Sequence, residues 1–412
     1  MSGKTSPQPK RALPHRFARR MNKARRSFIR EILKVTEKPD FISFAGGLPN
    51  PRLFPVKEIS RAASRILRED GGNALQYSTT EGFPPLREFI ADRYRRKDGM
   101  AVGPEDILIL SGSQQGIDLV SKALLDPGDR VLIERPAYLG ALQSFALFEP
   151  EFLPLPLEED GISLPALEKA LARPRVKLFH TVPNFQNPSG ITYSREKRKK
   201  VAGLVRPTAA FVVEDDPYRE LRFLGEDLPP IRKYLGDRSI LFGSFSKIVT
   251  PGLRVGWVLA APGVMEQLVI AKQAADLHTN TFSQRIIHRY LLDHDIEDHI
   301  RAIRRAYKNQ RDVMVDMLEK HFPPEASFTR PEGGMFLWVT LPPACSVQRV
   351  FAAALREKVA FVPGNAFFVD GEGSNTFRLN FSNTSEPKIR TGIRRLARAV
   401  KRELRKNRGK GA

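Results

Sequence analysis

Cysteine is nearly absent: Cys345 stands alone among 412 residues. One thiol cannot make an internal disulfide or a cysteine-rich zinc site, which fits a reducing compartment, and the expected location is cytoplasmic. Long apolar runs are missing too. No stretch approaches the roughly 18 consecutive apolar residues that a bilayer span requires, and the first 30 residues lack the apolar block of a secretory signal. Acid is scarce at the two ends, where residues 1–30 hold ten Lys and Arg and no acid, and residues 388–412 hold eleven against Glu403 alone. Of the formal net charge of +21, those ends leave only about +1 for residues 31–387, so the body is nearly neutral. The basic ends are read as solvated surface, with no specific nucleic-acid partner and no membrane partner expected. A transit peptide is disfavoured because Arg25, Arg26 and Arg30 run straight into a helical pattern.

What is present is an alternation. With 41% apolar and 27% charged residues, a chain of this length has room for a large core and two domains. Short apolar runs (106–110, 130–134, 177–182, 210–214, 239–243 and 256–260) are separated by helical patterns, the signature of a mostly parallel sheet covered by helices. From about 310 the pattern becomes a long helix, three strands (336–341, 359–364, 377–382) and a terminal helix, which predicts a smaller α+β unit. In 388–404, Ile389, Ile393, Leu396, Ala397, Val400 and Leu404 recur at helical spacing, predicting an amphipathic helix with a basic outer face. The expected organisation is a basic tail (1–25), an N-terminal helix and substrate-covering segment (26–55), a large domain (56–305), a small domain (306–402) and a basic tail (403–412). Residues 1–50 are expected to join the second unit or reach over the first.

Ligands of such sheets sit at the loops after the carboxyl ends of the strands. Here those loops read SGSQQG (111–116), RPAY (135–138), PNFQNPSG (183–190), DDPY (215–218) and SFSK (244–247). Each alone has a bland reading: SGSQQG as a helix cap, NPSG as a turn, Asp215 as a salt-bridge partner, Tyr138 and Tyr218 as packing, Lys247 as one solvated cation among many. Together they match one chemistry. A lysine amine for a Schiff base, a carboxylate, aromatic and amide groups and a phosphate-binding helix start describe a pyridoxal phosphate site. No metal ligands are expected.

These motifs, with SFAGGLPNPRLFP (43–55), LQYSTTEGFPPLRE (75–88), Arg254 and FRLNFS (377–382), resemble the fold type I, class I/II aminotransferases from about residue 25 to about 400. Within them the sequence is similar to the subgroup of 2-aminoadipate, kynurenine and aromatic aminotransferases, which also supplies the effector domain of MocR-type transcription regulators. The resemblance implies a PLP-dependent transferase fold and transfer of the amino group of a 2-aminoadipate, aromatic or branched type amino acid to a 2-oxo acid, expected to be 2-oxoglutarate. By the same resemblance Lys247 would carry pyridoxal phosphate and shuttle the proton, Asp215 would keep the pyridine nitrogen protonated, and Asn187 and Tyr218 would bond its phenolic oxygen. Tyr138 would stack on the ring. Ser113, Gln114, Ser244, Ser246 and Arg254 would hold the phosphate, joined by Tyr77 from the neighbouring subunit of a homodimer. Arg378 would clamp the substrate carboxylate beside Gly47 and Asn187, and Arg30 would meet the distal end of the substrate. A lyase or decarboxylase on the same fold is the alternative reaction. A DNA-binding regulator is the alternative class, disfavoured because only about 25 residues precede the enzyme-like region, too few for a winged-helix reader.

Overall fold

The computed structural model describes residues 17–22 and 40–408. Fourteen short strands are found among the described residues: β1 (Ile42–Ser43), β2 (Ile107–Leu110), β3 (Arg130–Arg135), β4 (Glu151–Glu158), β5 (Gly161–Ile162), β6 (Val176–Thr181), β7 (Phe211–Asp215), β8 (Ser239–Ser244), β9 (Gly256–Leu259), β10 (Ser327–Phe328), β11 (Phe336–Thr340), β12 (Val359–Ala360), β13 (Val362–Pro363) and β14 (Thr376–Asn380). Eight of them form one mixed sheet in the order β2-β9-β8-β7-β6-β3-β4-β5. Its centre, from β8 through β7, β6 and β3 to β4, is parallel. The α/β reading therefore holds, with one refinement: the run at 256–260 folds back antiparallel to both β8 and β2.

The sheet is apolar on both faces because successive side chains point to opposite sides and each side meets helices. Val131 and Ile133 pack into one core with the helices Ser113–Leu124 and Pro262–Asp276, while Leu132 between them packs into another with Leu167, Val201 and Ile231. Val212 and Val213 divide in the same way. Sequence reading passed over β4, whose Pro154 and Pro156 argue against a central strand. Its residues 151–156 pair with the whole of β3, near the sheet edge where only the two-residue β5 lies beyond it.

The second unit is an antiparallel sheet in the order β10-β11-β14-β13, beside the parallel pair β1-β12. Through β1 the segment before residue 50 joins this unit. The long helix starts earlier than expected and spans Ile296–His321, so the division proposed at 305/306 falls inside it. One apolar cluster runs from Ile109 and Leu241 of the large sheet, through Ile300 and Met314 of that helix, to Val339 and Phe377 of the small sheet. The last helix, Glu386–Arg408, buries Ile389, Ile393, Leu396, Ala397 and Val400 and leaves Arg390, Arg394 and Arg398 outside, as its periodicity predicts. No helix among the described residues is long and apolar enough to cross a membrane.

Candidate active site

Parallel strands end on the same edge, and this sheet collects its polar strand ends there. Asp215 is the last residue of β7, Ser244 the last of β8, and the residues following β2, β3 and β6 bring Ser113, Tyr138 and Asn187. Arg254 reaches the same edge from the other direction, because it lies two residues before the antiparallel β9. Its backbone is left-handed at φ 53°, an uncommon state for a side-chain-bearing residue and a sign of local constraint. The result is a cavity of about 120 Å³ lined by Gly112, Ser113, Gln114, Tyr138, Val182, Asn187, Asp215, Pro217, Tyr218, Ser244, Ser246, Lys247 and Arg254. Ten of the residues singled out from sequence are thus neighbours in space, whereas Gly112, Val182 and Pro217 were not singled out.

One end of the cavity is built for an anion. The helix Ser113–Leu124 points its first N–H groups there, and the Arg254 Nη2 donates to the Ser111 carbonyl at 3.1 Å. Gly112 makes this approach possible: with φ at +84°, a Cβ there would lie 2.5 Å from the same Nη2. The Ser246 N–H donates to the Ser244 Oγ at 3.1 Å, which fixes that hydroxyl beside Lys247. The Gln114 side chain is engaged elsewhere. Its Nε2 donates to the Gly140 carbonyl and the Ser144 hydroxyl, and its Oε1 accepts from the Tyr138 hydroxyl at 3.3 Å. Only its backbone remains for an anion.

At the other end Asp215 is buried, and its Oδ1 has no hydrogen-bond partner. Burial, and then the negative charge of Asp216, push its carboxyl up to about 7, against the pull of a Ser113 hydrogen bond and the Lys247 cation. Asp216 itself is held by the Asn184 amide at 2.7 Å. Lys247 is partly covered. Its Nζ donates to the Gly47 carbonyl at 3.3 Å and lies 6.0 Å from the Tyr218 ring centre. Burial, helped by the Arg254 and Arg378 cations, lowers its amine to about 8, with Asp215 opposing.

Arg378 stands beside the cavity on β14. Its Nη1 donates to the Asn187 Oδ1 and its Nη2 to the Ala45 carbonyl, both at 2.7 Å, and its Nε is buried without a partner. The guanidinium lies 4.2 Å from the Phe336 ring centre and 5.2 Å from that of Phe367. Ala45, Phe336 and Phe367 were missed from sequence, since a brace of this kind has no local signature. Asn187 turns its amide the other way, donating to the Tyr218 hydroxyl at 3.4 Å. Tyr77 is not in this cavity: it is 79% exposed, edge-on to His278 with ring centres 5.8 Å apart. Arg30 lies outside the described residues.

These residues fit pyridoxal phosphate. An unpartnered buried carboxylate oxygen suits a ring N–H, a weakly basic lysine suits a carbonyl carbon, and the helix start, serine hydroxyls and arginine suit a phosphate dianion.

Residues 42–396 match the family described as aminotransferase class I and II. The chain is 43% identical over 386 residues to aromatic-amino-acid aminotransferase 1 of Thermococcus litoralis, covering 92% of this chain and 93% of that protein. Among solved structures it is similar to the alpha-aminoadipate aminotransferase of Thermus thermophilus complexed with N-(5'-phosphopyridoxyl)-L-leucine, with a TM-score of 0.88, 44% identity, and coverage of 94% of this chain and 98% of that one. It is likewise similar to the kynurenine aminotransferase of Pyrococcus horikoshii in complex with PMP, with a TM-score of 0.90, 43% identity, and coverage of 94% and 97%.

Proposed function

This chain belongs to the class I and II aminotransferases, pyridoxal phosphate enzymes, and from that premise we propose that it moves the amino group of a 2-aminoadipate, aromatic or branched type amino acid to 2-oxoglutarate. The observation that carries the site assignment is the convergence of a weakly basic Lys247 and an unpartnered Asp215 oxygen on one cavity beside Arg378. When bound, the cofactor supplies a carbon that holds the amino group and a cationic ring that accepts the electron pair left at the substrate α-carbon.

The chain's own residues divide the remaining work. Lys247 would hold the cofactor covalently at rest and carry the proton at the substrate α-carbon. Asp215, unpartnered at Oδ1, accepts from the ring nitrogen and keeps it protonated; a cation there returns its carboxyl to the ionised state that burial opposes. Asn187 and Tyr218 would bond the ring oxygen, and Tyr138 would lie against the ring. Ser113, Ser244, Ser246, Arg254 and the Gln114 backbone hold the phosphate. Arg378 grips the α-carboxylate beside Gly47.

An amine lowered to about 8 makes a testable difference to cofactor capture. At pH 7 roughly a tenth of it is neutral, about two orders of magnitude more than for an ordinary lysine near 10.4. Covalent uptake of pyridoxal phosphate by cofactor-free protein should therefore rise about tenfold per pH unit up to about 8 and then level. Stopped-flow absorbance at fixed ionic strength checks this; a rise continuing past pH 10 would contradict it.

The exposed Tyr77 supports an isologous homodimer in which it reaches the partner's phosphate site. The protein should then sediment as a dimer, and Tyr77→Phe should weaken cofactor retention by about tenfold or more, the loss of one hydrogen bond to a charged group. Equilibrium dialysis measures the retention, and unchanged retention would remove Tyr77 from the site. Substrate class is tested by single-turnover conversion of the bound cofactor with 2-aminoadipate, kynurenine, phenylalanine and leucine. Release of ammonia in place of the amine-bearing cofactor would mark a lyase.

A further inference from the structure

The near-neutral body carries a concentrated patch of positive charge outside the active site. On the helix Ile296–His321, Arg301, Arg304, Arg305 and Lys308 follow at intervals that place them on one face. That face looks across a groove of about 340 Å³ at Arg222, Gly225 and Asp227, so that five cations and a single carboxylate line it. Asp227 is 3.6 Å from Arg304, which also lies 3.7 Å from Glu220. Arg301 and Lys308 pair with Asp298 and Asp312 of their own helix, exposed contacts that neutralise little. Arg305 forms no ion pair among the described residues.

Arg222 is the built part of the groove. It is 5% exposed, stacked over the Phe185 ring at 4.8 Å, and its Nη1 donates to the Leu224 carbonyl at 3.0 Å and to the Glu332 Oε2 at 2.7 Å. Its Nη2 is buried with no acceptor. A buried donor of this kind is destabilising until an acceptor arrives. Gly225, at φ +73°, keeps space beside it, since a Cβ there would come within 3.2 Å of both the Arg222 Nη1 and the Glu332 Oε2.

We propose that this groove binds a small, multiply charged anion bearing phosphate, with the arginine forks of 222, 301, 304 and 305 and the Lys308 ammonium as its donors. Forked guanidinium groups match phosphate oxygens pairwise, and Arg305, without an ion pair among the described residues, and the unpartnered Arg222 Nη2 are the donors left for an added anion. The ligand is small because the groove these cations line holds about 340 Å³. None of these residues lines the cavity of Lys247, so the site is separate from the cofactor's phosphate and independent of the transamination reading.

The probe is pyrophosphate, titrated calorimetrically into protein saturated with pyridoxal phosphate and freed of excess, at constant ionic strength. One saturable site per chain is expected, weakened at least tenfold in Arg301→Ser/Arg305→Ser and unchanged in Arg394→Ser/Arg398→Ser, a control on the more basic last helix. Both pairs are exposed, and transamination rates of the variants serve as the check on folding. Equal affinity in the groove variant and the parent protein would overturn the proposal. So would the absence of saturation with pyrophosphate while a single-stranded oligonucleotide binds through the same residues, which would make the groove part of a polyanion surface.

Discussion

Lys247→Ala should lower turnover with any amino acid by about 10⁴-fold or more while leaving the protein folded and able to hold the cofactor non-covalently. The loss is large because one amine serves as both covalent anchor and proton carrier, and no other lysine among the described residues lines the cavity. Folding should survive because the contacts removed are weak: one donated hydrogen bond of 3.3 Å to Gly47 and a 6.0 Å approach to the Tyr218 ring. Burial already disfavours the ammonium, so its removal relieves a cost. Single-turnover absorbance measures the loss, and thermal melting confirms the fold. Small primary amines added to the medium should restore part of the rate, increasingly as pH rises towards their own pKa. Turnover within tenfold of the parent protein would refute the assignment.

Arg378→Lys should lower kcat/KM for amino acids by about 10²–10³-fold, the order expected when a buried charge pair loses its partner. A lysine cannot reproduce a planar fork, nor bond Asn187 and Ala45 at once while facing a carboxylate. The defect should fall mainly on KM. A primary amine without a carboxylate provides the internal control: its slow half-reaction should be the same in variant and parent. If both substrates slowed equally, Arg378 would be holding the site together and not gripping the substrate. Leu replacements of Phe336 and Phe367 would then separate the brace from the grip.

Much of the site was legible because its chemistry is carried at strand ends, and strand ends are marked locally. SGSQQG, NPSG, DDPY and SFSK each break an apolar run with residues unsuited to a strand interior. A parallel sheet then sets them on one edge without further information. What escaped depends on contacts between distant segments. The antiparallel return of β9 cannot be read from its apolar run, because a strand buried on both faces looks the same in either direction. β4 was hidden by Pro154 and Pro156, which its place near the sheet edge tolerates. The Ala45 carbonyl and the Phe336 and Phe367 rings were invisible because nothing in a β-strand pattern says which side chain will lie over a guanidinium. Gln114 shows the converse: its place in the motif was evident, but the diversion of its amide to Gly140 and Ser144 depends on a helix 26 residues away.

The two 2.7 Å bonds of Arg378 span separations of 191 and 333 residues, whereas Ser244, Ser246, Lys247 and Arg254 lie within a single hairpin connection. The cofactor contacts are therefore assembled within the large sheet, from chain between residues 112 and 254, while the carboxylate grip exists only after the first, middle and last parts of the polypeptide have docked. Substrate affinity is thus the more sensitive gauge of whether the whole chain has come together. Clipping, truncation or mild denaturant should erode amino-acid binding before it releases the cofactor, and a population that is coloured yet idle is the expected mark of incomplete assembly.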